Sequence, residues 1–226
     1  RWSLQRRDLR ALRYFPQGSF SPLSLSPSLW LRGDLGITLN GSNVSAWADQ
    51  SGNGNNFEQA VPLLQPLFVS SDSRLNSKPG VKFDTIDTSL ITAETIDIQT
   101  LFAVAAYPAG PNFSDFSTLI AGSADYFLRG EAATANWRTA EMAADRYRDG
   151  TLTNNAGLPD PHVYEVVAPT LHTASTWMIG DDPAVAVGRQ WTDIICEVIA
   201  FGKALSSAQR SQVRQYLGTK YRITVT

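Results

Sequence analysis

The stretch that decides the fold reads Leu29-Trp30-Leu31-Arg32-Gly33-Asp34, followed by Val44-Ser45-Ala46-Trp47-Ala48-Asp49-Gln50-Ser51-Gly52-Asn53-Gly54-Asn55-Asn56. Each piece starts as a short apolar run with one tryptophan, which is typical of a β-strand. The second piece continues into a stretch of Asp, Ser, Gly and Asn. Glycine adopts positive φ at little cost, and Asn and Asp hydrogen-bond their own backbone, so this composition predicts a tight polar loop after a strand.

The rest of the chain shows the same pattern of short apolar runs separated by turn residues. Thr100–Tyr107 is almost continuously apolar, which is typical of a strand buried on both faces. Asp149-Gly150 lies between two short runs and predicts a tight hairpin. The other predicted strands are Leu29–Arg32, Ser45–Ala48, Leu67–Val69, Val81–Phe83, Ser89–Thr92, Ser117–Ala121, Tyr126–Arg129, Trp137–Ala140, Arg146–Arg148, Thr151–Leu152, His162–Val167, Thr176–Gly180 and Asp193–Phe201.

One helix is predicted near the end of the chain. Ser206 and Gln209 have the spacing of a capping box, and apolar residues follow from Val213 to Tyr221 at helical spacing. This density of strands and turns, with a single helix, predicts an all-β protein.

Several segments together resemble the LamG-like modules of the concanavalin A-like superfamily. They are W-x-D-x-S-G-N-G-N-N-x-x-Q from Trp47, Lys78–Asp84, Tyr147–Leu152, Trp191–Phe201 and the closing helix Leu205–Tyr221. Their order spans residues 29–223. The resemblance implies a two-sheet antiparallel jelly-roll sandwich with a short C-terminal α-helix.

The sequence departs from the family pattern in two places. Asp193 stands where the pattern has glycine, which predicts a different turn there. Residues 1–28 match nothing in the module and are interpreted as a basic N-terminal arm followed by a Pro/Ser-rich linker over 16–28. The domain prediction is therefore an extended arm over 1–28 and a sandwich over 29–226.

Charge is distributed unevenly along the chain. The formal net charge of the 226 residues is −2, which gives no general electrostatic case for nucleic-acid binding. Residues 1–15 carry a net charge of +4, so the rest of the chain carries −6. A basic segment on an acidic body suggests a docking arm, with a frayed terminus as the alternative. The proposed docking residues are Arg1, Trp2, Arg6, Arg7, Arg10 and Arg13.

Catalysis is not predicted. Glycoside hydrolysis needs two carboxylates flanking the bond, and the E-x-D-x-x-E string of related enzymes is missing. His162 and Tyr164 share a strand face and could serve a lyase, but a polar outer face explains them as well. Glu197 has apolar neighbours and is expected to hydrogen-bond the backbone or to pair with an arginine beside the final helix. Cys196 is interpreted as a small buried hydrophobic residue.

Two kinds of binding site have candidate residues. Exposed rings beside polar groups could bind glycans, and the candidates are Trp137, Arg138, Tyr147 and Arg148. Oxygen ligands crowd the loop at Asp49, Asn53 and Asn55, which makes calcium the one possible cofactor, although Asx residues in turns usually bond their own backbone. A zinc site is not predicted.

By analogy with the family, the favoured function is a non-catalytic structural or adhesive module on a virion or cell exterior. In a phage this would be a decoration, fibre or receptor-binding component fastened to other virion or surface proteins through residues 1–28. The alternatives are a free carbohydrate-binding module and then a hydrolase or lyase. The expected location is the virion surface or the extracellular space. No membrane span is predicted, because the chain has no apolar run of 18 residues. Glycans and further copies of the chain complete the set of expected partners.

Overall fold

The protein is an antiparallel β structure with one helix near the end of the chain. A computed structural model describes residues 20–84, 88–108, 110–123, 126–140, 142–184 and 188–226. Its elements are β1 (Leu29–Arg32), β2 (Ile37–Asn40), β3 (Asn43–Trp47), β4 (Phe57–Glu58), β5 (Leu67–Asp72), β6 (Lys78–Phe83), β7 (Leu90–Thr92), β8 (Ile96–Ala105), β9 (Thr118–Gly122), β10 (Tyr126–Arg129), β11 (Asp145–Arg148), β12 (Thr151–Leu152), β13 (His162–Ala174), β14 (Trp177–Ile179), β15 (Asp193–Phe201) and α1 (Ser207–Tyr221).

Most predicted strands are confirmed, and β1, β10, β12 and β15 have the predicted bounds. Trp137–Ala140 is wrong as a strand. Trp137 makes only an isolated bridge to Gly130, and its amide donates to the carbonyl of Asn154. Two strands were missed: β2, whose residues are mostly exposed, and β4, which has only two residues.

The strands follow one continuous hydrogen-bonded path, β10-β9-β14-β7-β4-β3-β5-β6-β15-β8-β13-β11-β12, with β1 added to β15 and β2 to β3. Residues from the two ends of this path contribute to one hydrophobic core. Ile120 and Trp177 come from one end, and Val166 and Val198 from the other. Alternate side chains along a strand point to opposite faces, and strands from both halves of the path turn their apolar side chains into the same interior.

The strand β15, most of β8 and the first half of β13 are buried on both faces. Leu101 and Ala103 of β8 belong to the main core, whereas Phe102 and Val104 belong to a second cluster with Val213 of α1. The helix covers the outer face of these strands, which explains why Thr100–Tyr107 is almost continuously apolar. Among the described residues, no helix has the length and apolar character needed to cross a membrane.

Both predicted local signals in this region are confirmed. The Ser206 hydroxyl accepts from the backbone amide of Gln209, and the Gln209 side-chain oxygen accepts from the backbone amide of Ser206, so α1 starts with a complete capping box. Asp149 and Gly150 both have positive φ, as a tight hairpin between β11 and β12 requires.

A β-bulge in β15 decides which way Glu197 points. Ile195 pairs with Ala105, but Glu197 pairs with Val104, so one extra residue is inserted on β15. The insertion places Glu197 on the same face as Val104, under α1. Without it, the two-residue alternation would turn Glu197 into the main core.

The segment before β1 differs from the predicted extended linker. Pro22–Leu25 forms a 3-10 turn capped by Ser21, and Pro22 is buried. Phe20 and Leu25 pack against the cluster under α1, and the Phe20 ring meets Tyr216 edge-on at 6.4 Å between centroids. Apolar residues among the prolines and serines therefore dock on the helix side.

Candidate functional site

The candidate site is a cleft at one end of the structure, where β6 and β8 end and β15 begins. It has a volume of about 660 Å³, within the range of about 300–1,000 Å³ that is common for small-molecule sites. Its lining includes Arg74, Lys82, Phe83, Tyr107, Asn112 and Asp193. Loops that extend from a rigid sheet are common places for binding residues.

The base of the cleft is aromatic. Phe83 and Tyr107 line the cleft and are 1% and 3% exposed, so only a small part of each residue reaches the opening. The hydroxyl of Tyr107 lies 2.7 Å from that of Ser117, and its ring packs edge-on against Phe113 at 5.0 Å. These contacts hold the base rigid.

The charged groups of the cleft are mostly paired with one another. Arg74 donates to Asp193 at 2.9 Å and to Asp72 at 2.6 Å. Hydrogen bonds to Asp72 and then Asp193 raise the pKa of Arg74, and the bond from Arg74 lowers the pKa of Asp72. The side chain of Lys82, by contrast, makes no hydrogen bond or salt bridge with the described residues, so its ammonium group is available to a ligand.

Asp193 has a backbone conformation that glycine prefers. Its φ is +130°, in the region that L residues rarely adopt. The backbone at this position therefore suits glycine, and the expected difference from the LamG-like turn stays a prediction. The aspartate contributes the salt bridge to Arg74, which offsets the strain.

We expect Asp193→Gly to be more stable than Asp193→Asn by about 1 kcal/mol. Both variants lose the salt bridge to Arg74, but only glycine relieves the positive φ. Urea unfolding of the two variants measures the difference directly. An asparagine variant as stable as the glycine variant would show that φ at this position stores no strain.

The glycan-binding prediction needs correction at Trp137. Its side chain is 2% exposed and stacks on Trp191, with ring centroids 6.1 Å apart. The rings of Phe113 and Tyr164 contact it at 5.1 and 5.0 Å. A sugar needs an open ring face, and Trp137 offers none.

The other three glycan candidates are half-buried and hold structural contacts. Arg138 pairs with Glu131 at 2.9 Å, and Arg148 donates to the side chain of Asn155 at 2.7 Å. The guanidinium of Arg210 lies over the ring of Tyr147 at 4.7 Å. None of these three residues is in the lining of the cleft.

The predicted calcium loop is built from internal hydrogen bonds. The carboxylate of Asp49 accepts from the amides of Trp30, Ser51 and Asn55 and from the Ser51 hydroxyl. The side-chain amides of Asn53 and Asn55 both donate to the backbone carbonyl of Ser28. No group of three His, Cys, Asp or Glu side chains suited to a metal occurs among the described residues. Calcium at this loop stays a prediction.

The proposed lyase pair also has structural partners. One ring nitrogen of His162 bonds Asp149 and the other bonds the carbonyl of Gly157. Tyr164 is fully buried and donates to the carbonyl of Ala156 at 3.0 Å, and burial raises the pKa of its phenol well above the usual value. The docking residues Arg1, Trp2, Arg6, Arg7, Arg10 and Arg13 lie outside the described residues.

Two fully buried glutamates bind α1 to the sheet. The carboxylate of Glu197 accepts from Trp30, Tyr216, Tyr221 and Lys220, at 2.7 to 3.0 Å. Its cation is therefore Lys220, and the expected arginine is wrong. The arginines of the helix, Arg210 and Arg214, bind the neighbouring Glu165 instead. Cys196 is buried as predicted, and burial raises the pKa of its thiol.

Ionisation of Asp34 makes the free energy of unfolding depend on pH, because the Asp34 carboxylate is bonded to Lys220 of α1. Burial opposes ionisation of Asp34, but hydrogen bonds from Arg32 and Lys220 outweigh it and lower the pKa from 3.8 to about 2. A folded-state pKa below the unfolded value means that the stabilisation exists above the unfolded pKa and disappears as pH falls through the folded pKa.

We expect the stability advantage of the wild type over Asp34→Asn to be about 1 kcal/mol at neutral pH, after allowing for solvent screening of this partly exposed group. The advantage should shrink as pH falls from about 4 towards 2. Urea unfolding at a series of pH values measures it, with Asp160→Asn as a control that removes an exposed carboxylate with no salt bridge to any described residue. A constant gap across that range would contradict the prediction.

Comparison with known proteins finds no relative from which to read a function: no family model, no curated protein and no solved structure matches this chain.

Proposed function

We propose that this chain is a non-catalytic adhesive or structural module on the exterior of a virion or cell. The proposal includes membership of the LamG-like modules and a two-sheet jelly-roll arrangement. The shared core between the two ends of the strand path supports the two-layer arrangement. In a phage, the role would be a decoration, fibre or receptor-binding component, with residues 1–28 as the attachment.

The observation that carries the proposal is how the acidic groups beside the cleft and under α1 are engaged. Asp72 and Asp193 are bound by Arg74, Glu165 by two arginines, and Glu197 by four donors. A general acid or base needs a carboxylate that can exchange its proton with a substrate. These carboxylates instead hold the strands, the turn at Arg74 and α1 together. A stable module exposed on a particle requires such attachments.

The cleft supports carbohydrate binding as a second candidate. Its base of Phe83 and Tyr107 offers apolar edges, and Lys82, Asn112 and Thr192 supply polar groups at the rim. A sugar also combines apolar faces with hydroxyl groups. Under this proposal the cleft, and not the neighbourhood of Trp137, contacts the glycan.

Two measurements test the proposal. Antibody raised against the chain should label intact virions or cells of the source, and the purified chain should release no product from a panel of polysaccharides. Polysaccharide turnover would overturn the non-catalytic role. For the second candidate, we expect any glycan-array signal to fall in Lys82→Ala and Asn112→Ala and to persist in Arg148→Ala, which lies outside the cleft. A signal lost only in Arg148→Ala would overturn the cleft assignment.

A further inference from the structure

The outer face of β3, β4 and β7 carries a groove with two lobes. Glu58 of β4 pairs with Ala46 of β3 and with Ile91 of β7, so these residues form one row across three strands. Phe57 and Leu90, their chain neighbours, are buried in the core, and this places Glu58 and Ile91 on the outer face. In the described part of the chain no helix covers this face.

The two lobes meet at Glu58 and Ala60. Their volumes are about 390 and 400 Å³. One lobe extends from Glu58 towards Asn40 and Gln65, and the other towards Thr92 and Glu94. An extended peptide lying across the strands could occupy both.

The groove is acidic, with carboxylates that lack a cation. Glu58 and Glu94 form no salt bridge or side-chain hydrogen bond with the described residues, and no Lys or Arg is among the described residues that line either lobe. This differs from the cleft and from the face under α1, where the carboxylates are paired within the chain.

Apolar side chains accompany the carboxylates. Ile91 is 38% exposed within the groove, and Leu63 is 86% exposed beside Pro62, which lines it. A partner with positive charge and one or two large apolar side chains would match this combination.

The chain itself contains such a segment. Residues 1–15 hold five arginines, one aspartate and Trp2, whereas the rest of the chain carries a net charge of −6. We propose that the groove at Glu58 and Glu94 binds residues 1–15 of a second copy of this chain. The inference rests on the proposed function, because it names the partner of the attachment arm.

Each copy offers one arm and one groove, so the contact between an arm and the groove of the next copy is head-to-tail. Such contacts close into rings or continue into chains of copies. Arginine–carboxylate pairs at an exposed groove weaken as salt screens them. Self-association that depends on both sites and on ionic strength is the expected signature.

Sedimentation velocity of the full chain over a range of concentrations tests the proposal. We expect association that weakens when the salt rises from about 50 mM to about 500 mM. The E58Q/E94Q variant should raise the dissociation constant about tenfold or more, and the R6Q/R7Q/R10Q variant should do the same. The matched control is D145N/D160N, which removes two exposed carboxylates without salt bridges outside the groove and should leave association unchanged.

A mixing experiment separates contact between copies from contact within one copy. The E58Q/E94Q variant keeps its arm, and the R6Q/R7Q/R10Q variant keeps its groove, so an equimolar mixture should form mixed dimers when neither variant self-associates. A wild-type chain that stays monomeric, or association that E58Q/E94Q leaves unchanged, would overturn the proposal. A monomer that still labels the exterior of virions or cells would overturn the contact between copies and leave the proposed function standing.

Discussion

Replacing Glu197 with alanine is expected to destabilise the protein by about 3–5 kcal/mol. The Glu197 carboxylate is fully buried and accepts bonds from four donors, among them the ammonium of Lys220 at 2.7 Å. Without the carboxylate, Lys220 becomes a largely buried cation whose remaining partner there is Asp34. The hydroxyls of Tyr216 and Tyr221 also lose an acceptor, and an unsatisfied buried donor costs about 1–3 kcal/mol.

Urea unfolding measures this effect, and Asp160→Ala is the control. Asp160 is exposed and forms no salt bridge with the described residues, so its removal should change the free energy of unfolding by less than about 0.5 kcal/mol. If Glu197→Ala does not fold, Glu197→Gln keeps one acceptor oxygen and should give a measurable intermediate loss. A loss below about 1 kcal/mol in Glu197→Ala would contradict the role of this residue in attaching α1.

The second large effect is expected from Trp137→Ala, at about 3–5 kcal/mol of lost stability. Trp137 is among the largest fully buried side chains, and its ring contacts Phe113, Tyr164 and Trp191. Truncation removes many contacts and leaves a cavity that rigid aromatic neighbours cannot fill. Trp137→Phe should lose less, because a ring remains in place.

This prediction matters for any test of glycan binding. A binding signal lost in Trp137→Ala would arise from unfolding as easily as from a missing contact, so the unfolding curve must accompany it. Leu152→Ala is the control, since Leu152 is 62% exposed and its loss should change stability by less than about 0.5 kcal/mol. A Trp137→Ala variant that unfolds at the wild-type urea concentration would show that the ring is not part of the core.

Local signals in the sequence predicted local structure well. The capping box at Ser206 and Gln209, the Asp149-Gly150 hairpin and the bounds of β10 and β15 are all present. Each depends on residues within a few positions of one another, through a hydrogen bond, a backbone angle or an apolar alternation. The all-β class follows from the same signals.

The site residues could not be predicted in this way. Arg74 lies in the turn between β5 and β6, 119 positions from Asp193 at the start of β15, and the two meet only in the folded structure. The aspartate at position 193 was visible in the sequence, but its salt bridge to Arg74 was not. Trp137 shows the same limit, because an aromatic residue in a polar stretch reads equally well as exposed or buried.

By itself, the sequence determined the all-β class, the position of the helix and its cap, the tight hairpin and the split between a basic start and an acidic body. Only the tertiary structure decided which carboxylates are paired, where the cleft and the acidic groove lie, and that a bulge turns Glu197 towards Lys220. The reason is physical: a turn or a cap is set by neighbouring residues, whereas burial and charge pairing depend on strands that are distant in the chain and meet only in the folded sheet.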